Sequence, residues 1–434
     1  MIDIAALTND TTPLFITGGA GVGKSYLLCE IAARMGARGK KVALLASTGI
    51  AAINIGGSTV HRFFMFGVSK NQDELSQHDS KSFNKKRLPE LLKALAKLDL
   101  IAIDEVSMVS ADLMEMIGAR LMQAGFCGKI VLCGDFYQLP PVRKTDEKPS
   151  GDLFTGGGFY AFESWFWQSL RLKVVELVEP KRTDDRKFVG FLNNLRRGVL
   201  SDDDERLLGH YATQESVLSL DPTHLVSTNE EADAINGRRV AALDGVERRF
   251  EAEMELGKGV DERVAAGFIK SLTTPMTLVL KIGARVLFTI NKYGEESYYN
   301  GERGEVTAIN EDAIVVAKQN GKLVEVERHD FELSEINRAD EKNETVLVRF
   351  SQFPLRLAWA ITIHKSQGMS LSPLAVNVDR LFEAGQLYVA LSRSNNPKQL
   401  FLRASGDPVS RAKRAIRANP TVDRFYGSVL GGAN

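Results

Sequence analysis

The sequence predicts an α/β protein with two lobes, each a parallel sheet covered by helices, and a small β-barrel inserted in the second. Three observations lead there. Through the first ~175 residues, short apolar strands alternate with helical patterns. A second α/β pattern starts near residue 186, and from about 277 to 350 the chain turns to short alternating strands separated by Gly and Asn turns. At 434 residues the chain is also too long for a single core.

In chain order, the expected strands of the first lobe are 14–17, 41–46, 100–104, 130–133 and 172–177. They are apolar almost throughout, as strands covered on both faces must be. Leu91, Leu92, Leu95 and Leu98 mark one face of a helix. Two polar stretches, 67–87 and 143–160, are long for loops in a compact domain and are expected to have a job. In the second lobe a helix at 186–197, a strand at 223–228 and a helix from Asn229 precede the barrel strands. Helical and parallel-strand signals return through "TIHKSQG", "PLAVNV" and "GQLYVALSRS", and the tail "GSVLGGAN" is expected to be loose.

Composition narrows the class without naming a function. Hydrophobic content of 44% and charged content of 25% are those of an ordinary globular chain. No apolar run approaches the ~20 residues of a membrane span and no signal pattern opens the chain, so a cytoplasmic protein is expected. Lys+Arg and Asp+Glu both number 55; with no net charge, any nucleic-acid binding must use a local groove. Cys29, Cys127 and Cys133 stand in apolar contexts with no C-x-x-C, and read as buried, reduced small hydrophobes.

The chemistry begins at "GGAGVGKS", residues 18–25, between an apolar strand and a helical pattern. That is the context of a phosphate-binding loop: Gly18, Gly19, Ala20, Gly21, Val22 and Gly23 turn backbone N–H groups toward a β-phosphate. Lys24 can reach the β- and γ-phosphates, and the Ser25 hydroxyl can ligate Mg²⁺. In "LIAIDEVSM" an apolar strand delivers Asp104 and Glu105 to its tip. Alone, that pair is equally compatible with a solvated turn. Beside a phosphate loop, Asp104 suits Mg²⁺ and Glu105 suits orienting and deprotonating the attacking water. "GDFYQLPPV" ends another core strand on Gln138 and two prolines. A neutral amide there can donate to a γ-phosphate or accept from a water, and the prolines pre-set its backbone.

The order of these motifs resembles the Pif-one-type DNA helicases, in the superfamily-one branch that also holds the RecD and phage Dda helicases. The carrying residues are "GGAGVGKS", "ASTGIAAINIGGSTVHRFF", "IDEVSM", "GDFYQLPPV", "NGERGEV", "AITIHKSQGMSL" and "LYVALSRS", spanning 18 to about 394. The resemblance implies two RecA-like motor lobes, 1–175 and 176–434, that hydrolyse ATP with Mg²⁺ and translocate 5′-to-3′ on single-stranded DNA. It also implies a wedge element at 67–87 and makes the barrel at about 283–350 a Src-homology-three-like (SH3-like) insert. Gln367 and Gly368 would stand near ATP, and Arg182 and Arg393 would serve as cleft arginines. Read from the residues alone, Arg393 closes an amphipathic helix and could as well be a surface arginine in a last turn. Two departures stand out. No glutamine precedes the phosphate loop, the first being Gln72, which leaves adenine selectivity open. The family's Arg-Gln pair is here Arg182–Thr183.

Single-stranded DNA calls for phosphate partners and stacking faces. Thr48, Thr59, His61 and Phe63 in the first lobe, with Thr362, His364 and Lys365 in the second, supply both; Phe64 and Phe66 read as core. The expected partners are single strands and single-/double-strand junctions, met by a protein that is monomeric when free. The expected function is an ATP-dependent helicase that opens duplex or structured DNA in genome maintenance, replication or repair. A nucleotide-gated DNA-binding subunit with little motor activity is the alternative. A generic P-loop phosphotransferase would leave the two-lobed motif series unexplained.

Overall fold

A computed structural model of the chain describes residues 3–67, 69–141, 158–257, 260, 262–272, 274–292, 294, 296–336 and 344–431. Residues 143–157 of the second polar stretch lie outside them. The chain divides into two compact units: Met1–Lys181 with Glu335–Thr345 and Asn419–Asn434, and Arg182–Ser334 with Val346–Ala418.

The first unit is built on six parallel strands: β1 (Leu14–Gly18), β2 (Val42–Ala46), β3 (Ser58–Thr59), β4 (Leu100–Asp104), β5 (Lys129–Cys133) and β6 (Lys173–Leu177). Their order is β3-β2-β4-β5-β1-β6. Strands β1, β4 and β5 are buried at every residue, with the two faces in different cores. Phe15, Ile101, Ile103 and Leu132 face one side; Leu14, Ile16, Ala102, Val131 and Cys133 face the other. The period of two along an extended chain produces this split, and helices cover both sides. Lys24–Gly36 packs Leu27, Leu28, Ile31 and Met35 on the second face. Ala111–Ala124 packs Met114, Ile117 and Leu121 on the first; Ser110 caps its start and Gly125 ends it at φ 64°.

From residue 72 onward, stretch 67–87 is built of helices and is not an irregular loop. Helices Gln72–Ser80 and Ser82–Leu95 run through it, the first capped by Asn71, whose side chain accepts from Glu74 N at 2.9 Å. The tail also departs from expectation: Pro420–Leu430 is a helix of the first unit, capped by Asn419 and burying Val422 and Tyr426.

In the second unit, strands Ala360–Thr362, Thr223–Val226, Leu374–Asn377 and Leu400–Arg403 form a parallel sheet in that order. The inserted strands are antiparallel. Leu323–Glu327, Ala313–Lys318, Arg303–Ile309, Arg285–Phe288 and Leu355–Leu357 make a five-stranded sheet over a core of Val286, Phe288, Val306, Ile314, Val316 and Phe353. Glu253–Leu256 joins the same region by pairing with Glu344–Gln352. Asp221 is a tie point: its carboxylate meets Arg239 and, at 2.8 Å, Arg285, while its carbonyl accepts from Arg303 at 2.8 Å. Among the described residues no helix is long and apolar enough to cross a membrane.

Candidate active site

All strands of the first sheet point the same way, so the segments after β1, β2, β4 and β5 emerge at one edge. Register fixes how close they come: Ala46 pairs with Asp104, Ile103 with Leu132, and Ile16 with Cys133.

After β1 the chain turns tightly into helix Lys24–Gly36. A Cβ at Gly18 would collide with the Leu177 carbonyl oxygen, and Gly23 stands in the left-handed region at φ 88°, so glycine is required at both. Lys24 Nζ donates to the Gly18 and Gly19 carbonyl oxygens at 3.0 and 2.8 Å, holding the ammonium inside the loop. Ser25 follows in the first turn.

After β4, Asp104 is buried and its Oδ1 accepts the Glu105 N–H at 2.8 Å. Glu105 adopts φ 51°, a left-handed conformation that costs a side-chain-bearing residue about 1–2 kcal/mol. Ser47 Oγ donates to its carbonyl oxygen at 2.9 Å and helps hold that conformation. Local strain kept in place by neighbours marks functional positions.

After β5, Asp135 organises the turn. Its Oδ1 accepts Tyr137 N at 3.2 Å, its carbonyl accepts Gln138 N at 2.9 Å, and its Oδ2 accepts Gln138 Nε2 at 3.5 Å. Gln138 is buried and so arrives at the edge in one orientation. Cys133, wholly buried at the same edge, has its thiol pushed well up in pKa by burial and then by Asp104, so it stays neutral. Of the expected buried cysteines, Cys127 is a correction: it is exposed, because it follows the C-cap Gly125 outside the core.

Thr48 and Thr59 lie at the same end of the sheet, and both begin short helices: Thr48 Oγ1 accepts from Ala51 N at 3.3 Å and Thr59 Oγ1 from Arg62 N at 3.4 Å. His61 is exposed, its ring perpendicular to that of Phe66 at 6.3 Å. Phe63 packs half-buried against Phe64 at 5.2 Å, while Phe64 and Phe66 are core.

In the second unit, Thr362 ends a parallel strand and its Oγ1 accepts from Lys365 N at 3.4 Å. His364 Nε2 lies 3.2 Å from Glu383 Oε2. The Lys365 ammonium is held below its usual pKa by burial first and by Arg356 second. Gln367 and Gly368 follow, the glycine at φ 77°. The helix carrying "QLYVAL" is buried at all six residues, so it is not the amphipathic element expected: it sits inside the unit. Arg393 is accordingly buried, with Nε donating to Val389 O at 3.0 Å and Nη2 to Ser392 Oγ at 2.8 Å. Arg182 Nη1 donates to Ser392 O at 2.6 Å, so both candidate arginines meet at Ser392.

Several supporting residues escaped the sequence reading: Ser47, Asp135, Ser392 and Tyr426, whose hydroxyl bonds Thr17 Oγ1 and Phe136 N. Asp135 two residues before a turn amide was a readable Asx-turn signal, and Asn419–Pro420 was a readable helix start.

A family profile described as PIF1-like helicase matches residues 1–206. The ATP-dependent DNA helicase Pif1 of Campylobacter jejuni is 39% identical over 399 residues, 89% of this chain and 88% of that one. The chain belongs to the PIF1-like helicase family. Solved Pif1 structures share the fold across its length. Bacteroides sp Pif1 in complex with ADP-AlF4 superposes with a TM-score of 0.79 at 28% identity, covering 99% of this chain and 96% of that one. Pif1 helicase from Bacteroides in complex with ADP-AlF3 and ssDNA gives 0.69 at 29% identity, with the same coverage. The two-lobed PIF1-like fold, with parallel-sheet motor lobes and an antiparallel insertion, is therefore that of this protein.

Proposed function

We propose that the protein is an ATP-dependent DNA helicase that translocates 5′-to-3′ on single-stranded DNA. The observation that carries this is the convergence, at one sheet edge of a PIF1-like chain, of the Lys24 loop, the strained Glu105 after Asp104, and the Asp135-held Gln138. Water attacks the γ-phosphorus as the bond to the β–γ bridging oxygen breaks, and Glu105 accepts the proton. Gln138 orients the γ-phosphate or that water, while Lys24, Arg393 and Arg182 offset the charge that develops.

The donor set suits Mg²⁺. Ser25 and Asp104 offer hard oxygens, and a magnesium ion at phosphates needs only one or two protein ligands. Bound there, the ion would supply positive charge to the β- and γ-oxygens.

DNA contact is assigned to Thr48, Thr59, His61 and Phe63, and to Thr362, His364 and Lys365, with Gln367 and Gly368 serving nucleotide. The two helices that run through 67–87 fit a wedge at a single-/double-strand junction, and the antiparallel insertion fits an SH3-like barrel. The protein would act as a monomer when free, on chromosomal DNA of the cytoplasm, in replication or repair. The complete set of Lys24, Glu105, Gln138 and Arg393 speaks against a DNA-binding subunit without a motor.

The test is ATP hydrolysis with and without single-stranded DNA. DNA should stimulate it strongly and Lys24→Ala should abolish it. Turnover indifferent to DNA would point to a generic P-loop enzyme.

A further inference from the structure

We propose that Tyr426, on the C-terminal helix, is a positioning residue for the phosphate loop and the Gln138 turn. This rests on the reading of Gln138 as the group that meets the γ-phosphate or the attacking water.

The Tyr426 hydroxyl is buried between two segments of the site. It accepts the Phe136 N–H at 3.1 Å and shares a 2.7 Å hydrogen bond with Thr17 Oγ1. Thr17 immediately precedes Gly18, whose carbonyl holds Lys24 Nζ. Phe136 N belongs to the peptide that joins Asp135 to Phe136, and Asp135 holds Gln138 through both backbone and side chain. One hydroxyl thus fixes the entry to the phosphate loop and the peptide plane ahead of the Gln138 turn.

The next residue is held by the same helix. The Tyr137 ring stacks on Tyr426 at 4.8 Å and 10°, and its hydroxyl donates to Asp423 Oδ1 at 2.9 Å. Packing alone would need none of these polar bonds. Phe425 already fills the core against Phe162 at 4.2 Å and Phe136 at 5.4 Å, and Val422 is buried beside them. The Tyr426 and Asp423 side chains are directed instead at residues 136 and 137, just ahead of Gln138. Without the hydroxyl, the buried Phe136 N–H loses its acceptor and the turn loses its register with the loop.

Tyr426→Phe keeps the ring and removes both hydrogen bonds. DNA-stimulated kcat should fall about ten- to a hundredfold, the cost of a small misplacement in a reacting constellation. Affinity for ADP should stay within about twofold, while the preference for a non-hydrolysable ATP analogue over ADP should shrink. Val422→Ala is the control for helix stability: it should lower the thermal midpoint at least as much and leave kcat within about twofold. Thr17→Val removes only one arm of the bridge and should show the same kcat loss in weaker form; it also serves if Tyr426→Phe does not fold. With Lys24→Ala inactive, an unchanged kcat in Tyr426→Phe and Thr17→Val overturns the inference and leaves the function standing. Equal kcat loss in Val422→Ala overturns it too, because stability alone would then explain the effect. Hydrolysis that survives Lys24→Ala overturns both.

Discussion

Arg393 lies buried, bonded to Val389 and Ser392, with Arg182 bonded to the same Ser392. A guanidinium held this way costs little to reorganise during reaction, which is what stabilising transferring charge requires. Arg393→Ala should therefore lower DNA-stimulated kcat by at least about a hundredfold with nucleotide Kd nearly unchanged. A kcat within a few-fold of the parent would make Arg393 a packing residue and move the role to Arg182. His364, opposite Glu383, should separate the two substrates. In His364→Ala, DNA-stimulated hydrolysis should fall more than basal hydrolysis; equal loss would assign the ring to nucleotide or fold. The cysteines give a pH-linked test. Burial and then Asp104 raise the Cys133 pKa, so its reactive thiolate is scarce at neutral pH and for some way above it. A disulfide reagent on the native protein should therefore label exposed Cys127 rapidly and Cys133 only after unfolding.

A buried ion pair ties the helical insert to the first core. Arg120, 1% exposed, meets both oxygens of Asp79 at 2.7 and 2.6 Å, joining helix Gln72–Ser80 to helix Ala111–Ala124. Removing one partner strands a buried charge, so Asp79→Ala should destabilise the protein by about 3 kcal/mol in denaturant unfolding. A loss below about 1 kcal/mol would show the insert is held by other means. This insert also shows where the sequence stops being legible. Strands β1, β4 and β5 were readable because burial on both faces leaves an unbroken apolar run, and the phosphate loop because its glycines are demanded by local backbone geometry. Helix Gln72–Ser80 buries little beyond Leu75, so no stripe announces it, although Asn71 followed by Glu74 was a usable cap signal. Strand β3 is two residues long and exists through its pairing with β2. The bonds of Ser47 to Glu105, of Arg182 to Ser392 and of Tyr426 to Thr17 and Phe136 join segments far apart in sequence, which no local pattern encodes. The sequence did give the residues at the sheet edge, because parallel strands must deliver their tips to one side.

Over the whole molecule, zero net charge means DNA affinity must come from local contacts. It should fall with salt at a log–log slope of roughly −0.7 per phosphate contact. A slope near zero would remove the phosphate track assigned to Thr48, Thr59, Thr362 and Lys365. The central claim is a motor with a direction, and strand separation tests it most directly. Duplexes carrying only a 5′ or only a 3′ single-stranded tail are compared with Mg·ATP, alongside the Lys24→Ala protein. The 5′-tailed duplex should open and the 3′-tailed one stay intact, with no opening by Lys24→Ala. Efficient opening of the 3′-tailed duplex alone, or opening that survives Lys24→Ala, would contradict the account.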